Sequence, residues 1–325
     1  MLLARKGYTV HLWARSQTTV EAVKAAGQND KYLPGVLLPP ALEITNSLET
    51  ALAGVHIVVM VTPSQGVRDT IKKAVPYLHN GVYIVSATKG FELDSLLRNS
   101  EVITEVLPFQ TERIAVISGP NHAEEVGRDM PTTTVVAAKK RIIAEYLQDI
   151  FMTPTFRVYT NPDVVGVEIG GALKNIIALG TGIADGLNFG DNSKAALMTR
   201  GLAEITRLGM AMGARPLTFA GLSGLGDLVV TCTSMHSRNR RAGIELGRGK
   251  KMAEIVANTG MVVEGIRTTK AAYALARKYG IEMPITEQIY KILYEEKNPH
   301  EAVVDLMLRG KTHEAEEIVT GDLEW

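Results

Sequence analysis

Over its first 160 residues the chain alternates short β-branched runs with helical stretches, and after that the strands stop. Tyr8–Trp13, Val55–Val61, Val82–Ser86 and Ile114–Ser118 read as strands. Thr134–Ala138 and Phe156–Tyr159 are weaker members of the series. Nearly continuous apolar strands separated by helices predict a parallel sheet covered on both faces. In such sheets ligands gather beyond the carboxyl ends of the strands. Those ends here carry Trp13-Ala-Arg15, Thr62-Pro-Ser64, Ala87-Thr-Lys89-Gly90 and Gly119-Pro-Asn121, all small, polar or cationic groups.

Near residue 160 the pattern changes. Asn161-Pro-Asp163 predicts a helix start, with Asn161 as cap and Pro162 at the first helical position. Only helical patterns follow, punctuated by Pro216, Gly280 and Pro284. The expected architecture is therefore an α/β dinucleotide-binding domain, residues 1–159, and an all-α substrate and catalytic domain, residues 160–325. A length of 325 residues is long for one core, which agrees with two domains.

The α/β half is expected to be Rossmann-like with its first strand missing. Such a domain opens with a strand, a G-x-G-x-x-G turn and a helix. This chain opens on what reads as the back half of a helix, Leu2–Arg5, and then a strand in the second position. The sequence thus predicts an N-terminal truncation that removes the first strand and the glycine loop. After the second strand an acid commonly receives the ribose 2′-hydroxyl of NAD. Here the strand ends Trp13-Ala14-Arg15, and the cation favours the 2′-phosphate of NADP over NAD. Arg15 as a plain solvated loop charge is the competing reading.

Composition removes several function classes. The formal net charge is zero, so no broad basic field exists for nucleic acid or an anionic membrane. The single cysteine, Cys232, allows no internal disulfide, and a buried structural thiol is favoured over a nucleophile. The longest apolar stretch, residues 164–187, contains Glu168, Lys174 and Asp185, which a membrane span rarely tolerates. Seven histidines show no paired ligand spacing, so no metal is expected. These features predict a cytoplasmic protein.

Three constellations carry chemistry. The first sets Lys174 in a glycine-rich helix that is apolar on nearly every face. Burial disfavours the charged amine and brings it toward neutral pH, where it can act as acid or base. A lysine that snorkels to the surface or pairs structurally is the alternative. The second is Gly221-Leu-Ser-Gly-Leu-Gly-Asp227, where dense glycine lets backbone approach a ligand. Asp227 then either fixes a substrate hydroxyl or sets the charge of Lys174, with a tight turn capped by Asp227 as the alternative. The third is Ser237-Arg-Asn-Arg-Arg241 ahead of a helical run from Ala242. A capping serine, free backbone N–H groups and arginines converging on one spot make a phosphate site, with a solvated basic face as the alternative. His122 sits where a hydride-transfer acid could stand, but it reads better as a helix-start residue.

The segments SATKGFE, ISGPNHAEEV, FRVYTNPDVVGVEIGGALKNIIALGTGIADGL, TRGLAEITRLG, GLSGLGDLVVTCTS, SRNRRAG, VVEGIRT and MPITEQIY, in this order and spacing, resemble bacterial NAD(P)-dependent glycerol-3-phosphate dehydrogenase. The resemblance implies interconversion of sn-glycerol 3-phosphate and dihydroxyacetone phosphate, feeding phospholipid synthesis. It implies that Lys174 is the catalytic proton acceptor. It places Lys89, Gly119, Asn121, Lys174, Asp227, Ser237, Arg238 and Asn239 at the substrate. It places Arg15, Tyr32, Lys89, Ala123, Arg238, Val262 and Glu264 at an NADP or NAD cofactor. Asn121 departs from the family pattern, which has Ser or Thr there. The alternatives are another two-domain hydroxy-acid or sugar-phosphate dehydrogenase and a catalytically impaired fragment. The expected partner is a small phosphate substrate, with no nucleic acid and no integral membrane segment, and the sequence leaves room for a homodimer.

Overall fold

The computed structural model describes residues 1–259 and 262–311, with side chains except at 258 and 259. The last part of the expected helical domain, 312–325, lies outside them. Among the described residues nine strands run in chain order: β1 (Val10–Trp13), β2 (Gln28–Asn29), β3 (Leu33–Leu37), β4 (Leu42–Thr45), β5 (Ile57–Met60), β6 (Tyr83–Ser86), β7 (Ile114–Ser118), β8 (Thr132–Ala138) and β9 (Phe156–Asn161). β5 to β9 form one sheet in sequential order. β1 pairs in parallel with β4 as a separate ladder, and β2 with β3 as an antiparallel one. Apolar side chains of β6, β7 and β8 bury on both faces, as the near-continuous runs predict.

The sheet is not wholly parallel. β8 runs antiparallel to β7, while the other neighbours are parallel. Between Ser118 and Thr132 lies only the one-turn helix Ala123–Val126. That is too little to return the chain across the sheet for a parallel pairing. β2, β3 and β4 were not predicted. Pro34 and Gly35, the latter at φ +75°, break the strand signal of β3.

The helix start near residue 160 is shifted. β9 runs to Asn161, whose Oδ1 accepts from the Asp163 N–H at 2.8 Å. The cap is Asp163, which accepts from the Gly166 N–H at 2.8 Å. The same buried carboxylate also accepts from the Arg215 N–H and the Thr218 hydroxyl. An acid satisfied by three donors fixes where the helix begins, where Asn161 serves only the turn before it.

That helix, Val164–Gly186, is the axis of the second half, and every residue from Gly166 to Ala184 is buried. It is long and apolar enough to cross a membrane by composition alone, but other helices cover it. Helices Asp191–Ala211, Asp227–Thr233, Arg238–Gly247, Glu264–Tyr279 and Pro284–Tyr294 surround it. Its approach to Arg238–Gly247 is backbone on backbone. A Cβ at Gly182 would stand 2.2 Å from the Arg240 carbonyl oxygen, and one at Gly243 would stand 2.2 Å from that of Leu179. No side chain at either place can rotate away from such a clash. Gly243→Ala should therefore lose about 1–3 kcal/mol through forced separation of the pair. A fall in the urea midpoint at constant slope checks this, and an unchanged midpoint refutes it.

Candidate active site

The long helix carries Lys174 into the interior, and the side chain does not snorkel. The residue is 4% exposed. Its ammonium donates to Asp227 Oδ1 and, at 2.6 Å, to Thr231 Oγ1. Asp227 is 1% exposed and opens the helix Asp227–Thr233, just after the wide turn Leu222–Gly226. Gly170 of the long helix lets that turn pack against it, since a Cβ at Gly170 would stand 2.6 Å from the Ser223 carbonyl oxygen. Thr231, one helical turn on, donates to the Asp227 carbonyl at 2.6 Å and so presents a lone pair to Lys174.

A second lysine shares the carboxylate. Lys89, in the turn after β6, donates to Asp227 Oδ2 at 2.6 Å and to the Gly119 carbonyl at 3.3 Å. It is partly open to water. Two ammonium groups on one buried carboxylate leave a local excess of positive charge. Burial brings the Lys174 amine down to about 7, Asp227 opposes this, and the charge of Lys89 adds to it. Asp227 thus stands where its charge bears directly on that of Lys174.

Gly119 follows β7 with φ +156°, and a Cβ there would stand 2.9 Å from Thr134 Cα. Asn121 donates to Thr134 Oγ1 at 3.2 Å. His122 is half-buried, with its basicity lowered by burial and then by the charges of Lys174 and Lys89. Cys232 is buried and its thiol is pushed up to about 12, so it holds no reactive thiolate.

The Ser-Arg-Asn-Arg-Arg element is partly as expected. Ser237 caps its helix by accepting from the Arg240 N–H at 3.2 Å, although the helix begins at Arg238 rather than Ala242. Its arginines converge only in part: Arg238 and Arg241 line one cavity, and Arg240 turns away from it. Arg238 donates to the Val262 carbonyl at 3.1 Å, while Arg240 turns to Asp185 at 2.7 Å and to the Thr233 carbonyl at 2.8 Å. Residues two apart on a helix point away from each other, which separates them. Asn239 is buried, donates to Asn175 Oδ1 at 2.8 Å and accepts from the Gly265 N–H at 2.8 Å. Glu264 accepts from the Ser64 N–H and hydroxyl, at 3.4 and 3.0 Å, which brings the VVEG segment to the turn after β5.

The structure thus joins Lys89, Gly119, Lys174 and Asp227 directly, and Arg238 to Val262. Ala123 is exposed on the first turn of its short helix. Arg15 and Tyr32 are exposed on the β1–β4 side, and among the described residues no hydrogen bond or ion pair ties them to the lysines. Thr231 and Asn175 were not predicted, and Ser64 was read only as part of a strand end. Thr231 had a usable signal in its i+4 spacing from Asp227. Among the described residues no group of three or more His, Cys, Asp or Glu is placed to hold a metal ion.

A nicotinamide nucleotide fits the carboxyl edge of the five-stranded sheet. Thr62 Oγ1, Ser86 Oγ, Ser118 Oγ and His122 Nε2 are buried without a partner, at or just past the ends of β5, β6 and β7. Buried polar atoms are seldom left unpaired unless a ligand or water completes them.

Two family models cover most of the chain: "NAD-dependent glycerol-3-phosphate dehydrogenase N-terminus" over residues 1–144, and the corresponding C-terminus over 163–304. The chain belongs to the NAD-dependent glycerol-3-phosphate dehydrogenase family. It is 57% identical to a glycerol-3-phosphate dehydrogenase [NAD(P)+] of Pelotomaculum thermopropionicum, over 98% of this chain and 91% of that one. It is also 57% identical to one from Moorella thermoacetica, over 97% and 93%. The crystal structure of glycerol-3-phosphate dehydrogenase from Coxiella burnetii superposes with a TM-score of 0.91 at 40% identity, covering 95% of this chain and 94% of that one. These matches do not bear out the expected truncation. The N-terminus model of the dehydrogenase family is met from residue 1.

Proposed function

We propose that this chain interconverts sn-glycerol 3-phosphate and dihydroxyacetone phosphate and supplies the three-carbon backbone of glycerophospholipids. The observation that carries the reading is Lys174, sheltered from water with an amine near neutrality and held between Asp227 and Thr231. In the oxidative direction the neutral amine removes the proton of the C2 hydroxyl, and in reverse the ammonium returns it to the developing alkoxide. A bound nicotinamide supplies the acceptor or donor of the C2 hydride. Loss of one hydride and one proton converts the alcohol to the ketone, so the step balances.

Lys89, Gly119, Asn121 and Asp227 orient the polyol end, and Ser237, Arg238 and Asn239 hold the phosphate away from C2. Binding energy at the phosphate then places the reacting carbon. Arg15, Tyr32, Lys89, Ala123, Arg238, Val262 and Glu264 hold the nucleotide, and the cation at Arg15 favours NADP over NAD. The site lies where a sheet-bearing domain, 1–159, meets a helical domain, 160–325. A cytoplasmic location and a homodimer complete the reading, and sedimentation of the purified chain tests the latter.

The direct test is oxidation of NADPH by this chain with dihydroxyacetone phosphate, beside a panel of keto acids and sugar phosphates. Turnover of a keto acid in preference, or no fluorescence change on NADPH titration, overturns the reading. Arg238→Ala should raise KM for sn-glycerol 3-phosphate about 10- to 100-fold, the value of one charge-assisted contact. With the nucleotide saturating, so that the cofactor contact of Arg238 does not enter, glycerol, which lacks the phosphate, should be turned over as before. An equal loss on both substrates removes Arg238 from the phosphate.

A further inference from the structure

Lys89 and Lys174 stand on different elements, and a shared carboxylate cannot by itself set their spacing. The three residues Arg98 to Ser100, at the start of helix Asn99–Val106, touch the supports of both. Asn99 is fully buried, and its amide donates to the carbonyls of Thr88 at 3.2 Å and Gly90 at 3.0 Å, the residues on either side of Lys89. Ser100 donates from its N–H and its hydroxyl to Glu168, at 2.9 and 2.5 Å. Arg98 donates to the same carboxylate at 2.8 Å. Glu168 is buried in the long helix, less than two turns before Lys174.

The contacts close a ring. It runs from Lys89 through its flanking carbonyls to Asn99, then to Ser100 and Arg98, Glu168, the long helix, Lys174, Asp227 and back to Lys89. Every link is a hydrogen bond or a rigid piece of backbone, and water is excluded from most of it. A helix start that needed only capping would not reach a carboxylate in another element and two carbonyls in a third.

We propose that Asn99 and Glu168 are positioning residues, which fix the separation of the two ammonium groups by tying the Lys89 turn to the Lys174 helix. This rests on Lys174 being the proton-transfer group. Neither residue meets the substrate, and each acts through a lysine. The titratable groups facing Lys174 are Asp227, Lys89, His122 and Cys232. Only Lys89 is held in place by Asn99. Release of that turn weakens the repulsion that keeps the Lys174 amine low and leaves Asp227 to Lys174, so the amine becomes more basic.

The test uses Asn99→Ala and Glu168→Gln in the full chain, with Leu147→Ala as a control that loosens the sheet-side core at a fully buried site off the ring. Both ring variants should lower kcat about 10- to 100-fold per folded molecule, the cost of a misplaced reacting group. Both should also move the acidic limb of the oxidative pH profile up by about half a unit or more. The control should lose thermal stability and keep that limb in place. Two ring variants whose limb coincides with the parent, whatever their stability, overturn the proposal. Lys174→Ala run alongside separates the two ideas. Retained turnover there sinks the acid–base reading itself, whereas its collapse together with unmoved limbs sinks only the ring.

Discussion

Lys174→Ala is expected to lower kcat about 10³-fold in both directions, within the range set by general acid–base catalysis. The fold should survive, because the loss of a buried charged amine offsets part of the cost of the cavity its methylenes leave. Asp227 keeps its bond to Lys89 at 2.6 Å, so no carboxylate is stranded. Lys174→Met, which refills the space without the amine, should show the same loss and rule out a cavity effect. In the parent enzyme oxidative kcat should rise as pH passes through about 7, where the buried amine loses its proton. The reductive direction should show the opposite dependence, since it needs the ammonium.

Stability gives the same group an independent reading. The amine titrates near 7 in the fold against 10.5 for an ordinary lysine. Between those values the unfolded chain binds a proton that the folded chain does not, so stability rises with pH across that window. Lys174→Met should flatten this slope and stabilise the protein most below pH 7. Near-normal turnover in both variants, or a slope that persists in Lys174→Met, removes Lys174 from the mechanism.

What the sequence could show was set by range. β7 was read to its ends because five consecutive apolar or small residues leave one register. The long helix was legible from its composition, and so was the burial of Lys174 within it. Strand direction was not legible at β8, because a short link and its one-turn helix decide it rather than the strand itself. The partner of Lys174 was guessed as Asp227, but the sharing of that carboxylate with Lys89 was not. It joins residues far apart in sequence, brought together only when the sheet's edge meets the long helix. The Glu168 tie to Arg98 and Ser100 stayed hidden for the same reason. The divergence of Arg238 and Arg240 was in principle readable, because it follows from helical angle once the helix starts at Arg238.

Asp227→Asn separates charge from shape at the centre of this arrangement. The amide has the size of the carboxylate and keeps one acceptor, so Thr231 and the helix start need not move. Two ammonium groups then face each other without a counter-charge. Lys89 is partly open and water can screen it, but Lys174 is sheltered and water cannot. Removing one partner of a buried pair costs about 3–5 kcal/mol. That cost should depend on pH with a definite sign. Asp227 is what holds the Lys174 amine up, so its loss drives the amine further below 7. At pH 6 the variant must either keep a charge without a partner or release a proton that the unfolded chain retains, and both disfavour folding. At pH 9 the parent amine is itself neutral and the difference narrows. Urea unfolding at pH 6 and pH 9 should therefore show the larger loss at the lower pH. The oxidative pH limb should move down, opposite to the direction expected for Asn99→Ala, while reduction near pH 7 loses its proton donor and slows. Equal losses at the two pH values, or a limb that moves up, would mean that Asp227 does not set the charge of Lys174.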